Sequence, residues 1–249
     1  MQPASIFIMD ISKSSSAELG EKLSSYLSDI EEWINKWFHG YGHIQVRHRS
    51  GDELIFLAEG YATAFVTAFF ISRLWKFENN KPYFGMAFGS IDKSIEEIDI
   101  EKWIHPVVKQ ARLANDFLKK QKERETFHFD LDGNIHVHEL VTLLNGMLKL
   151  QNALSKQQTD VQRLVCSLYL VYEKQNVIAE LLERSAPTIY SHYKKGHSEL
   201  VLGSYQEVSR VLASLQTKEF GDATACNPDL LEGNIRKHVK GLLNDVFNL

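Results

Sequence analysis

Two carboxylates, Asp10 and Asp52, stand where a strand would end and where a hairpin would turn. Asp10 closes the apolar run SIFIMD, and Asp52 follows Ser50 and Gly51 in RSGDELIFLAEG, with Glu53 beside it. Two carboxylates and a backbone carbonyl suit Mg²⁺ holding a triphosphate, because a small hard cation takes oxygen ligands and offsets phosphate charge. The chemistry requires the two acids to meet. A strand, a long helix and then an acidic hairpin would bring them together if the two strands are neighbours in one sheet.

A second set of residues could contact nucleic acid. In VIAELLERSAPTIYSHYKKG, Val177, Ile178, Leu181 and Leu182 supply an apolar face, and small Ala179 lets another helix cross closely. Ser185 is placed to cap the next helix and Pro187 to sit in its first turn. Two short helices with a tight turn form the helix-turn-helix, whose second helix must reach base edges in the major groove. Arg184, Thr188, Tyr190, Ser191, His192, Lys194 and Lys195 would form the exposed face. Lysine and arginine suit phosphates, while hydroxyl groups can contact phosphate or base. The competing reading is a helical hairpin that contacts protein.

Other polar clusters carry less. His128, His136 and His138 alternate along TFHFDLDGNIHVHE, which reads as a hairpin turning at Asp132 and Gly133. His136 and His138 would share a strand face, and without a third ligand nearby that face reads as solvated. Asp130, Asp132 and Asn134 have the start of a calcium loop, but Ile135 and Val141 stand where its glycine and bidentate glutamate belong. Cys166, inside LVCSLYLVY, and Cys226 lack metal-ligand spacing and read as reduced thiols.

The elements that must position these groups change character along the chain. The 249 residues are 44% hydrophobic with a net charge of −4, which excludes a uniformly basic nucleic-acid coat but permits a local patch. SIFIMDI suits a buried strand, residues 14–38 carry a three-four apolar stripe, and HIQVRHRSGDELIFLAE alternates about a glycine turn. YATAFVTAFFISRLW reads as a buried helix and PYFGMAFGSI as a strand. Residues 101–121 return to helical spacing despite Pro106. From about residue 139 the chain reads as helical, placing a boundary between a strand–helix part (1–138), a helix-turn-helix part (139–217) and a helical tail (218–249). That tail offers an amphipathic helix for pairing two copies or for packing on its own chain. No basic segment precedes a long apolar core at the N-terminus, and no run reaches about 18 apolar residues, so a cytoplasmic protein without a membrane span is expected.

The first part resembles the palm-like domain shared by class III nucleotidyl cyclases and GGDEF diguanylate cyclases, through FIMDIS, RSGDELIFL and YFGMAFGSI. The resemblance implies an α+β fold with a ferredoxin-like palm, and metal held by Asp10, the Ile11 carbonyl and Asp52, with Glu53 as a supporting acid. It also implies an asparagine and an arginine, four residues apart, on the transferring phosphates. Arg112 answers to the arginine, whereas Val108 stands at the asparagine and Ser50 replaces the first glycine of GGDEF. Losing such a transition-state contact costs on the order of a hundredfold, so a remnant that binds nucleotide or pairs two copies is expected over a full cyclase. IAELLERSAPTIYSHYKKG is similar to the helix-turn-helix of sigma-factor-like and LuxR-like regulators, with Glu183 and Arg184 in place of a glycine and an apolar residue. Both parts together resemble the SatD family through MDISKS, SGDEL and IAELLERSAPTI. The joint expectation is a DNA-binding transcriptional regulator, acting as a homodimer on a duplex operator. The alternative is an active cyclase using Asp10, Asp52 and Arg112 with Mg²⁺.

Overall fold

The computed structural model describes residues 1–12, 17–49, 51–133, 135–221 and 227–242. Its first part runs β1 (Gln2–Ile11), α1 (Ala17–Trp37), β2 (Ile44–His48), β3 (Leu54–Glu59), α2 (Thr63–Leu74), β4 (Pro82–Ile91), α3 (Pro106–Lys120) and β5 (Phe127–Phe129). The strands form a five-stranded mixed sheet in the order β2-β3-β1-β4-β5. β1 pairs antiparallel with both β3 and β4, and only β5 joins in parallel.

β1 is central, and every residue in it after Gln2 is buried. Its side chains alternate between two cores, as the period of two demands. Phe7, Met9 and Ile11 point to the face covered by α1 and α2. Ala4, Ile6 and Ile8 join Val107, Val108 and Ala111 of α3 on the other. The stripe predicted for residues 14–38 is α1, whose Leu23, Leu27, Ile30, Ile34 and Trp37 are buried.

Two expectations need correction. The helix predicted from residue 101 starts at Pro106, whose missing N–H is no loss in a first turn and whose ring disfavours helix at the residue before it. His105 caps it, with Nδ1 accepting from the Val107 N–H at 3.3 Å. The hairpin predicted over TFHFDLDGNIHVHE is not formed. Phe127–Phe129 pairs with β4, and the chain then enters α4 (Ile135–Gln157). Parallel pairing removes the need for a returning strand, and Leu144 and Leu148, one helical turn apart, carry α4 into the core. His136 and His138 therefore lie in the first turns of α4 and not on a strand. Asn134 lies outside the described residues.

Helices α5 (Asp160–Tyr172), α6 (Gln175–Leu181), α7 (Ala186–Lys195), α8 (Ser198–Phe220) and α9 (Pro228–Val239) complete the described chain. The boundary expected at 138/139 falls in the first turns of α4. The apolar core is continuous between the sheet part and the helices. Phe69 of α2 stacks on Tyr205 of α8 at 4.1 Å, and Tyr205 donates to Glu232 of α9 at 2.7 Å. Leu231, Ile235 and Val239 of α9 are fully buried, and Asn234 donates to the Trp37 carbonyl at 2.6 Å. The tail's apolar face thus packs on its own chain. Among the described residues no helix is long and apolar enough to cross a membrane.

Candidate functional site

The acidic site is built by strand register. Met9 pairs with Leu54, so the next residue, Asp10, arrives beside Glu53 and Asp52 at the start of β3. Gly51, at φ +105°, makes the turn that a side chain would strain, while its neighbour Ser50 lies outside the described residues. Asp10 is buried on the α3 face, and Asn115 of α3 donates to its Oδ2 at 2.6 Å. Burial pushes the Asp10 carboxyl above its ordinary value; the Asn115 bond opposes that shift, and the charges of Asp52 and Glu53 add to it. Gly85 of β4 permits the approach of α3, since a Cβ there would lie 2.2 Å from the Asn115 nitrogen.

Sequence reasoning looked for an amide at position 108 and overlooked Asn115. Val108 is buried in apolar contact, whereas Arg112 and Asn115 are three residues apart on a helix and share a face. That spacing was the available signal. Glu53 accepts from Arg49 at 2.9 Å and lies 4.0 Å from Arg112, so the expected supporting acid is held by two guanidinium groups. Ile11 has a buried side chain and could offer only its carbonyl. Among the described residues no three His, Cys, Asp or Glu side chains converge on a common metal position. One Asp10 oxygen is engaged by Asn115, so a cation here would depend on the other oxygen, Asp52 and the carbonyl. Mg²⁺ held by so few protein oxygens would complete its octahedron with waters or substrate phosphates.

The second candidate site is local. Ser185 caps α7, its Oγ accepting from the Thr188 N–H at 3.3 Å, and Pro187 sits in the first turn. At the end of α6, Glu183 adopts φ +49°, the left-handed region in which glycine is favoured. The Glu183 N–H donates to the Glu180 carbonyl at 3.2 Å and the Arg184 N–H to the Ala179 carbonyl at 2.9 Å. These are the two bonds of a Schellman C-cap, and they close the turn. Ile178, Ala179 and Ile189 are buried between the helices.

Of the predicted DNA-contact residues, Arg184, Thr188, Tyr190, Lys194 and Lys195 are exposed, and Ser191 and His192 are half-buried. Lys194 pairs with Glu199 and lies 5.7 Å from the Tyr190 ring, while Thr188 Oγ1 is 2.8 Å from Ser185 Oγ. The end of α7 is tied inward, Gln158 donating to the Gly196 carbonyl at 2.7 Å. His136 pairs with its helix neighbour Glu139 at 3.4 Å, and His128 stacks on Phe117 at 4.1 Å. Cys166 is a buried free thiol; Cys226 lies outside the described residues. Comparison with known proteins finds no family model and no curated protein that matches the chain.

Proposed function

We propose that the protein is a DNA-binding regulator that reads duplex DNA with α7. The observation carrying this reading is the α6–α7 turn. Glu183 takes the left-handed conformation at the position where helix-turn-helix sequences of the resembled kind place glycine, and the turn it closes leaves one face of α7 exposed. On that face Arg184 and Lys195 would contact phosphates, and Thr188, Tyr190, Ser191, His192 and Lys194 would lie nearest the groove. Two copies reading a two-fold operator are the physical default for such a module.

The reading is tested by fluorescence anisotropy with mixed genomic duplex fragments over a salt series. Binding should weaken steeply as salt rises, and Lys195→Ala should lower the slope of log affinity against log salt by about 1, as expected for one lost phosphate contact. An Arg184→Ala/Lys195→Ala variant that binds as the parent does would remove α7 from the interface.

For the sheet part we propose a remnant of the cyclase-like palm, in line with the SatD-like motifs. Its support is the β-α-β-β-α-β order of the first six elements, the arrangement of the ferredoxin-like fold, with Asp10 and Asp52 at one sheet end. Asp10, Asp52 and the Ile11 carbonyl would be the ligands of any Mg²⁺, and a bound cation would offset the charge that Asp52 and Glu53 place on Asp10. Val108 in the amide position and Asn115 held by Asp10 argue for a binding remnant over a catalyst.

A further inference from the structure

At the same end of the sheet, reaching from the face opposite Asp10 round to Tyr83, lies a cleft of about 430 Å³ between α2, the start of β4, β5, the C-terminal end of α4 and the first turn of α5. Its walls carry Arg73, Lys81, Lys122, Arg124, Lys156 and Arg163, against two acids, Glu78 and Glu125. Like charges brought together repel, and such a concentration of cations is costly unless an anion enters.

The acids offset it only in part, Arg163 being paired also with Asp160 of its own helix. Glu78 lies 3.8 Å from Arg163 and Glu125 lies 4.0 Å from Lys149, which is outside the cleft lining. Arg73 is the decisive residue. It is 9% exposed, and among the described residues no carboxylate pairs with it. Its Nη2 donates to Gln158 Oε1 at 3.1 Å and to the Arg163 carbonyl at 3.3 Å, while its Nε has no partner. A buried guanidinium without a counter-charge is destabilising by itself. Arg124, over the Tyr83 ring at 4.9 Å, also has a buried Nε without a partner. Burial and the neighbouring charges of Arg163, Lys156 and Arg73 hold the Lys81 ammonium below the usual lysine value, despite Glu78.

The remaining wall is aromatic. Trp75 and Phe77, both half-buried, line the cleft beside Tyr83. Guanidinium groups suit phosphate oxygens in paired geometry, and aromatic faces accept a planar ring. The volume lies in the range of small-molecule sites, whereas duplex DNA presents a convex surface that cannot enter a concavity of this size.

We propose that this cleft binds a phosphate-bearing small ligand of nucleotide size, with Arg73, Arg124, Arg163, Lys81 and Lys156 on its phosphates and Trp75 and Phe77 against its ring. The site is separate from α7 and shares with the acidic hairpin only the border residue Tyr83, the β4 partner of Asp10. It therefore stands whether or not the protein binds DNA, and a chelator removes any contribution from Mg²⁺.

The test is calorimetric titration of the full chain with ATP, GTP, inorganic triphosphate and adenosine, in the presence of a chelator, with tryptophan fluorescence followed in parallel. ATP or GTP should bind at one site per chain and perturb the fluorescence through Trp75. Adenosine should bind at least about tenfold more weakly, a loss of about 1.4 kcal/mol or more. Triphosphate binding as tightly as ATP would assign the affinity to the phosphates alone; tighter ATP binding would add the aromatic wall. Arg73→Gln should abolish binding. Because Arg73 also holds Gln158, the rim variant Lys81→Glu/Lys156→Glu serves as the fold-preserving control, and it should weaken binding at least about tenfold. Either of two results would overturn the proposal: no heat or fluorescence change with any phosphate ligand up to about 1 mM, or binding that the rim variant leaves unchanged.

Discussion

The acidic hairpin and the α6–α7 turn are assembled in opposite ways. The hairpin site takes Asp10 from β1, Asp52 and Glu53 from the β2–β3 turn, and Arg112 and Asn115 from α3, and sheet register and helix docking bring them together. The turn takes everything from one continuous segment. Ser185 caps by a bond spanning three residues, and Glu183 and Arg184 close the turn with N–H groups that reach back three and five residues. A site built over long range depends on the packing of whole elements, whereas a local site depends on a few backbone angles. Damage should therefore spread in the first and stay confined in the second.

The sharpest way to break the comparison is Gly85→Ala. A Cβ there would meet backbone atoms of Ala111 and Asn115 within 2.6 Å, and neither can yield without moving α3. Overpacking of this kind costs about 3 kcal/mol, and urea denaturation should show the loss. The same variant should release the Asn115 bond to Asp10, while DNA binding through α7 persists in the folded fraction. Equal damage to both functions would show that the two sites share one element.

His128 offers a gentler perturbation of the sheet edge. Burial holds its imidazole down at about 4, against an ordinary value of 6.5, and its Nδ1 has no partner. Above the ordinary value both the folded and the unfolded chain carry a neutral imidazole, and full stability is present. Between the two values only the unfolded chain takes up the proton, so stability falls as pH drops through that window. The loss should be about 2 kcal/mol, since part of the ring meets solvent. His128→Gln should flatten the acid side of the stability curve measured by denaturation at stepped pH. An unchanged slope would assign the acid sensitivity elsewhere.

The smallest expected effect tests the local site. Glu183→Gly relieves a left-handed backbone carried by a residue with a Cβ, and it should raise stability by about 1 kcal/mol, allowing for the greater freedom of glycine in the unfolded chain. Thermal unfolding should show the gain, with no change at the Asp10 site. A loss of stability would mean that the Glu183 side chain does more than occupy the turn.

Much of the architecture was legible because its signals are local or periodic. The apolar run of β1, the stripe of α1 and the alternation about Gly51 each specify an element by the pattern of its own residues. The cap at Ser185 was legible for the same reason. Where the reading failed, a partner far away in sequence decided the outcome. TFHFDLDGNIHVHE alternates as a hairpin would, yet β5 pairs with β4 and the stretch from Ile135 opens α4. The acidic hairpin could be suspected from Asp10 and Asp52, but its amide came from Asn115, since docking of α3 over Gly85 chooses which helix position faces Asp10.

The basic cleft was not legible at all. Arg73, Lys81, Arg124, Lys156 and Arg163 are scattered along the chain among acids that keep the net charge at −4, and no short motif contains them. Residue type and spacing determined the elements and the α6–α7 turn, because hydrogen bonds and side-chain periods within one segment act without reference to the rest of the chain. Tertiary structure alone decided which charges lie side by side, because the distance between two charges in space depends on how separate elements pack and has no counterpart in their separation along the sequence.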